Sequence, residues 1–142
     1  MAKGYRELLA EAEAMVETLD LAAALPRLDD PDTVFVDLRD VRELEREGMI
    51  PGAEHCPRGM LEFWIDPESP YHLPLFGEPR FFLFYCAAGW RSALAARTAL
   101  EMGLARSAHL GGGFEAWREA GAPTLTRAEN AARRKAGDGT SA

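Results

Sequence analysis

Cys86 stands at the junction between an apolar aromatic run, Phe81-Phe82-Leu83-Phe84-Tyr85, and a run of helix formers that begins at Ser92. A thiol placed where a strand stops and a helix starts faces unpaired backbone N–H groups and the positive end of the helix dipole, and both favour the thiolate. The thiolate is the nucleophilic form, so this position marks Cys86 as a candidate for covalent chemistry rather than for packing. Between the two runs lie Ala87, Ala88, Gly89, Trp90 and Arg91. A loop this short can turn its successive N–H groups inward as an anion-binding nest. Gly89 supplies the positive φ that such a loop needs, and Arg91 adds a permanent charge at its mouth. Ser92 braces the loop or begins the helix.

Other chemistry-bearing residues give weaker signals. Asp37 and Arg39 fall where a second apolar strand, Val34 to Leu38, ends, a position that punctuates a turn. Cys56 follows His55 in a short strand and reads as a small core hydrophobe. Gly111, Gly112 and Gly113 lack the Lys-Ser/Thr pair that completes a phosphate-binding P-loop. The three histidines and two cysteines show no Cys-x-x-Cys or His-x-x-x-His spacing, so neither a metal site nor a cofactor is expected.

The elements that must position Cys86 are legible from pattern. Apolar spacing at Leu8, Ala12, Met15 and Leu19 predicts an amphipathic helix from Tyr5 to about Ala14. Asp20 caps a helix from Leu21 to Leu25 that halts near Pro26, and Asp29 to Asp32 form a turn. The strand Val34 to Leu38 is followed by a charged helix, Val41 to Glu47, closed by Gly48. Ala53 to Cys56, Phe81 to Tyr85 and Ser107 to Leu110 read as further strands, and Ser92 to Met102 as a helix ending at Gly103. Alternating strands and helices imply an α/β fold with a central parallel sheet of four to five short strands, helices covering both faces. The loop after Tyr85 then lies at the carboxyl end of a strand, where open sheets of this kind bind ligands.

Arg58 to Arg80 is too proline-rich for one regular element beyond a turn or two near Met60 to Trp64. Its Phe63, Trp64, Tyr71 and Phe76 make it either a self-packed surface loop or a lid that covers the active loop together with Trp90. Thr126 to Lys135 predicts a surface helix, and 136–142 an unstructured tail.

A chain of 142 residues holds one sizeable core and is too short for two ordinary domains. No apolar run approaches the roughly 20 residues needed to cross a bilayer. Glu7, Glu11, Glu13 and Glu17 interrupt any signal-peptide core. A formal net charge of −7 argues against general nucleic-acid binding. Two cysteines make no disulfide framework, and a reducing, cytoplasmic setting is expected.

Four ordered motifs now carry a resemblance to a known family. Val34-Phe35-Val36-Asp37-Leu38-Arg39 is similar to a strand ending in Asp-x-Arg. Gly48-Met49-Ile50-Pro51-Gly52-Ala53-Glu54-His55 is similar to a Gly-His-Ile-Pro-Gly-Ala-x-His motif, with Met49 in place of the His. Cys86 to Ser92 matches the active loop, and Leu110-Gly111-Gly112-Gly113-Phe114-Glu115-Ala116-Trp117 matches the closing Gly-Gly-x-x-x-Trp motif. Together they resemble the rhodanese-like domains, which carry sulfane sulfur as a cysteine persulfide. The resemblance covers about Val16 to Pro123. It implies a three-layer rhodanese-like domain over 16–125, with an N-terminal helical extension at 1–15, the insertion at 58–80 and a C-terminal segment at 126–142. It also turns Met15 to Thr18 into a short strand, makes Asp37 and Arg39 anchors of the loops around the cysteine, assigns His55 to a structural motif, and makes Gly111 to Gly113 a turn passing close to the active loop.

The chemistry the resemblance implies is sulfur transfer in two half-reactions. Cys86 takes the outer sulfur of a donor such as thiosulfate or a thiol persulfide, and an acceptor such as cyanide, a thiol or a partner protein's cysteine removes it. The loop's length points the same way. Cys86 to Arg91 spans the six residues associated with sulfur transfer, whereas the related phosphatases use one residue more. One departure matters: Ala87 stands where many thiosulfate-using members have a basic residue, leaving Arg91 as the loop's cation. Modest thiosulfate activity is therefore expected. A non-catalytic binding module and a cysteine-dependent phosphatase or arsenate reductase are the alternatives, and neither nucleic acid nor membrane is an expected partner.

Overall fold

The computed structural model describes residues 2–140. Five strands form one parallel sheet: β1 (Glu17–Leu19), β2 (Thr33–Asp37), β3 (Glu54–His55), β4 (Phe81–Tyr85) and β5 (Ser107–Leu110), in the order β1-β5-β4-β2-β3. Every residue of β2, β4 and β5 is buried, which is why β4 and the Val34–Val36 centre of β2 read as continuous apolar runs rather than as alternating ones. From β2 the chain moves outward to β3, and from β4 it moves the opposite way to β5. The carboxyl ends of β2 and β4, level at Asp37 and Tyr85, thus form the crevice where the winding reverses.

Side chains alternate across the sheet and found two cores. Phe35, Leu83, Tyr85, Ala108 and Leu110 point to one face. There they meet α2 (Leu21–Ala24), Leu44 of α3 (Val41–Glu47), and Phe114 and Trp117 of α6 (Gly113–Glu119). Val34, Val36, Phe82 and Phe84 point to the other face, against Leu61 and Ile65 of α4 (Leu61–Ile65) and Ala95, Ala96 and Ala99 of α5 (Trp90–Glu101). α1 (Tyr5–Met15) packs on α5. Among the described residues no helix is long and apolar enough to cross a membrane.

Local chemistry sets several boundaries. Asp20 accepts the Ala23 N–H at the start of α2, which passes at Leu25 into a 3-10 turn through Asp29 carrying Pro26. α3 opens with a reciprocal capping box between Asp40 and Glu43. The expected apolar stripe of α1 is only partly realised: Ala12 is buried, but Met15 is exposed because the helix stops there and Leu19 belongs to β1 instead.

The lid reading of 58–80 is not what the structure shows. After a 3-10 turn at Arg58–Met60, α4 and Phe76 sink into the core beside α5, while Phe63 and Tyr71 face solvent. Trp90 instead meets Tyr5 of α1 in a tilted contact, ring centroids 5.4 Å apart. The segment is a self-packed part of one core.

α7 (Arg127–Thr140) takes in 136–140 of the stretch expected to lack structure, and 141–142 lie outside the described residues. The helix is fastened by the buried Asn130. Its Oδ1 accepts the Gly52 N–H at 2.7 Å and its Nδ2 donates to the Ala53 carbonyl at 3.0 Å. Met49, standing where the resembling motif has His, is buried beside that amide.

Candidate active site

The residues from Cys86 to Ser92 run from the end of the central strand into a helix: Cys86 to Gly89 form the loop, and Trp90, Arg91 and Ser92 are the first turn of α5, which starts two residues earlier than the sequence suggested. The Cys86 side chain is 1% exposed, and its Sγ accepts the Gly89 N–H at 3.2 Å and the Ser92 N–H at 3.4 Å. The Ser92 hydroxyl lies 3.5 Å from the same sulfur. Gly89 holds φ +109 immediately before α5 begins at Trp90, the conformation its lack of a Cβ permits. The N–H groups of Ala88, Trp90 and Arg91 have no protein acceptor among the described residues. The loop is therefore a ring of main-chain donors, two on the sulfur and the others open.

The ring is held from behind by the turn into α6. Phe114 N–H donates to the Cys86 carbonyl at 2.8 Å, and Glu115 N–H to the Ala87 carbonyl at 3.0 Å. Fixing those carbonyls outward leaves the neighbouring amides free to face the sulfur. The close approach requires Gly113, at φ +59: a Cβ there would lie 2.5 Å from the Ala87 oxygen. Gly111 and Gly112 bring the chain to that point.

Asp37 and Arg39 lie beneath the loop. Their side chains are fully buried and bidentate, Nε to Oδ1 at 3.0 Å and Nη2 to Oδ2 at 2.8 Å. Arg39 also donates to the Gly48 carbonyl at 2.7 Å, and its guanidinium lies 4.2 Å from the Phe114 ring centroid. One guanidinium nitrogen, Nη1, has no partner. His55 Nε2 meets the Arg39 carbonyl at 2.7 Å, and the Tyr85 hydroxyl accepts the Ile50 N–H. Burial, with Asp37 adding to it, pushes the Tyr85 phenol far above its ordinary range, so it stays neutral. This group ties the ends of β2 and β4 together and touches no part of Cys86 Sγ.

Arg91 is not the free cation that the sequence led us to expect. It makes a bidentate pair with Glu43 of α3 at 2.8 and 3.0 Å. Arg91, with the capping bond from Asp40, holds the Glu43 carboxyl down at about 2. Sequence spacing gave no sign of this partner 48 residues away.

Sequence reasoning also missed Thr18 and His109. His109 Nδ1 lies 3.0 Å from Ser92 Oγ, and its Nε2 lies 3.0 Å from Thr18 Oγ1. Burial pushes the imidazole below its ordinary range, and Glu13 pulls the other way. The signal lay in β5, where a histidine sits between Ala108 and Leu110 in a fully buried strand. A cavity of about 300 Å³ beside the loop is lined by Glu13, Thr18, Gly89, Trp90, His109 and Gly112. A larger one, about 370 Å³, lies between β3 and α7 and shares no residue with the loop; its Arg127 and Arg134 are paired with Glu45 and Glu54. Cys56 is buried in the apolar core on the α5 side, where burial pushes its thiol up to about 12.

Sheet order, reversal point and a cysteine ringed by loop amides define an α/β domain with a thiol set among main-chain donors at the carboxyl edge of its sheet. A family model described as the rhodanese-like domain matches residues 20–120, and the chain belongs to that family. Among solved structures, a Rhodopseudomonas palustris protein of unknown function, described as a possible tyrosine phosphatase, is 54% identical with a TM-score of 0.86, covering 88% of this chain and 96% of its own. The polysulfide-sulfur transferase homodimer of Wolinella succinogenes is 29% identical with a TM-score of 0.66, covering 87% and 88%. The mouse thiosulfate sulfurtransferase/rhodanese-like domain-containing protein 3 is 27% identical over 95 residues, 63% of this chain. The chain spans 60% of that relative's length.

Proposed function

We propose that the protein is a sulfurtransferase that carries sulfane sulfur as a persulfide on Cys86. The observation that carries this reading is the Cys86 sulfur itself, shut from solvent and met by the N–H groups of Gly89 and Ser92 at 3.2 and 3.4 Å. The thiolate attacks the outer sulfur of a donor. The donor's S–S bond breaks, its electron pair leaves with the inner sulfur as a thiolate or as sulfite, and the Cys86 persulfide remains. Open amides at Ala88, Trp90 and Arg91 are available to the terminal anionic sulfur, the electrostatic logic of an oxyanion hole. A thiol, cyanide or a cysteine of a partner protein then attacks that sulfur, and the Cys86 thiolate leaves.

The donor class follows from charge. Ala87 is neutral and Arg91 is already paired with Glu43, so nothing in the loop offers a free cation to a dianion. The reading therefore favours a thiol persulfide over thiosulfate. Two free cysteines and an acidic surface suit a cytoplasmic setting without nucleic-acid or membrane partners.

Mass spectrometry of the intact protein after exposure to each donor tests the proposal. A gain of one sulfur atom at Cys86, larger with the persulfide and absent in Cys86→Ser, is expected. The description of the Rhodopseudomonas palustris neighbour gives a phosphatase reading its own support. Hydrolysis of an aryl phosphate without sulfur uptake would establish that reading in its place, and neither activity would leave a binding module.

A further inference from the structure

We propose that Ser92, His109 and Thr18 form a hydrogen-bond relay that takes the Cys86 thiol proton to the cavity beside α1 and reverses direction as the thiol ionises. The inference deepens the sulfurtransferase reading and rests on it. It assigns His109, which does not touch the sulfur, as a positioning residue for the nucleophile.

The geometry is a single file. Cys86 Sγ lies 3.5 Å from Ser92 Oγ, Ser92 Oγ 3.0 Å from His109 Nδ1, and His109 Nε2 3.0 Å from Thr18 Oγ1. Each hydroxyl carries one proton and a neutral imidazole carries one N–H, so only two arrangements satisfy every link. With a thiol, Cys86 S–H donates to Ser92, Ser92 O–H donates to Nδ1, and Nε2–H donates to Thr18. With a thiolate, Thr18 O–H donates to Nε2, Nδ1–H donates to Ser92, and Ser92 O–H donates to the sulfur.

Passing from the first to the second breaks the S–H bond and leaves its electron pair on sulfur. One proton moves along each link, and one leaves Thr18 for water in the cavity. The imidazole changes tautomer and stays neutral throughout. Burial supports that by pushing its protonation below the ordinary histidine range. The route also answers a difficulty of access: Cys86 and His109 are 1% and 3% exposed, whereas Thr18 is exposed and lines the cavity with His109. The charged and titratable groups around the imidazole are Glu13 on α1, Cys86 at the end of β4 and, beyond it, the Arg91–Glu43 pair.

The test is the pH dependence of Cys86 alkylation by iodoacetamide, read by peptide mass spectrometry on the full chain. Ser92→Ala and His109→Phe should each raise the midpoint by about one pH unit, the size of one lost hydrogen bond to an anion. Thr18→Val should raise it less. In His109→Ala, imidazole added to solution should draw the midpoint back, because the cavity opens on the vacated ring position. A histidine that only fills space predicts unmoved midpoints in His109 and Thr18 variants that still unfold cooperatively, and that result overturns the relay. Should the His109 variants fail to fold, Thr18→Val decides the question by the same criterion, because Ser92→Ala also removes the hydroxyl that lies on the sulfur. Alkylation needs no sulfur donor. A shifted midpoint without persulfide formation would therefore overturn sulfur transfer and leave the relay, whereas persulfide formation with unmoved midpoints would overturn the relay alone.

Discussion

Two cysteines of this chain are equally hidden from solvent, yet they sit in opposite kinds of surroundings. Cys56, 0% exposed, lies among Val34, Val36, Leu61, Phe82 and Phe84. Among the described residues its sulfur has one hydrogen-bond partner, the Pro57 carbonyl 3.8 Å away, which can accept from a thiol but offers nothing to an anion. Cys86, 1% exposed, has two N–H donors and a hydroxyl on its sulfur. Burial raises the cost of a thiolate at either site, and only the second supplies donors to offset it. What separates the surroundings of the two thiols is the direction of the nearby amides, not exposure.

The largest effect that can break this comparison is exchange of the thiols one at a time. Cys86→Ser should lower sulfur uptake by a thousandfold or more, on the order of a lost nucleophile. Cys56→Ala should leave uptake within about twofold and cost only the stability of a small buried cavity. Labelling under native conditions should likewise find Cys86 and spare Cys56. Persulfide on Cys56 in the Cys86→Ser protein would refute the distinction.

Next in size comes the structure beneath the ring. The Cys56 N–H donates to the Asp37 carbonyl, and the Leu38 N–H donates to the Tyr85 carbonyl, so the Asp37–Arg39 segment supports both thiol sites. Arg39→Met leaves the Asp37 carboxylate buried without its partner and should cost about 3–5 kcal/mol in denaturant unfolding. Gly113→Ala acts on one side of the comparison only. A Cβ at φ +59, 2.5 Å from the Ala87 oxygen, should cost about 1–3 kcal/mol and push the loop off the sulfur. Sulfur uptake at Cys86 should fall about tenfold while Cys56 stays as unreactive as before. An unchanged rate would show that the contact from α6 does not set the ring.

Those parts were legible in the sequence to different degrees. Strands β2 and β4 and Cys86 were readable because a fully buried parallel strand is written as an apolar run, and because a cysteine closing one stands out against it. α3 was readable to the residue, since its charged run starts just past a strand and Gly48 closes it. The partners of the site were not readable. Glu43 reaches Arg91 from 48 positions away, and His109 reaches Ser92 and Thr18 only once β1, β5 and α5 are assembled. The 58–80 segment left two readings open for a related reason. Proline density forbids a long element, but the depth to which Leu61, Ile65 and Phe76 sink depends on the empty face that α5 leaves beside them.

The smallest expected effect concerns the one cation of the loop. Glu43 is held at about 2, below its ordinary value near 4.5. Its pairing therefore contributes stability that is fully present above about pH 4.5 and is lost as pH falls through about 2. Arg91 is 41% exposed, so water screens the pair and its contribution should not exceed about 1 kcal/mol. Glu43→Gln keeps an oxygen to accept the Asp40 N–H, and so preserves the start of α3 while releasing the guanidinium. The variant should lose that acid dependence of stability. It should also use thiosulfate several-fold better relative to a thiol persulfide, with the gain shrinking as salt is added. Donor preference unchanged by freeing Arg91 would mean that the ring of amides alone selects the donor, and that the difference between the two thiols lies wholly in the main chain.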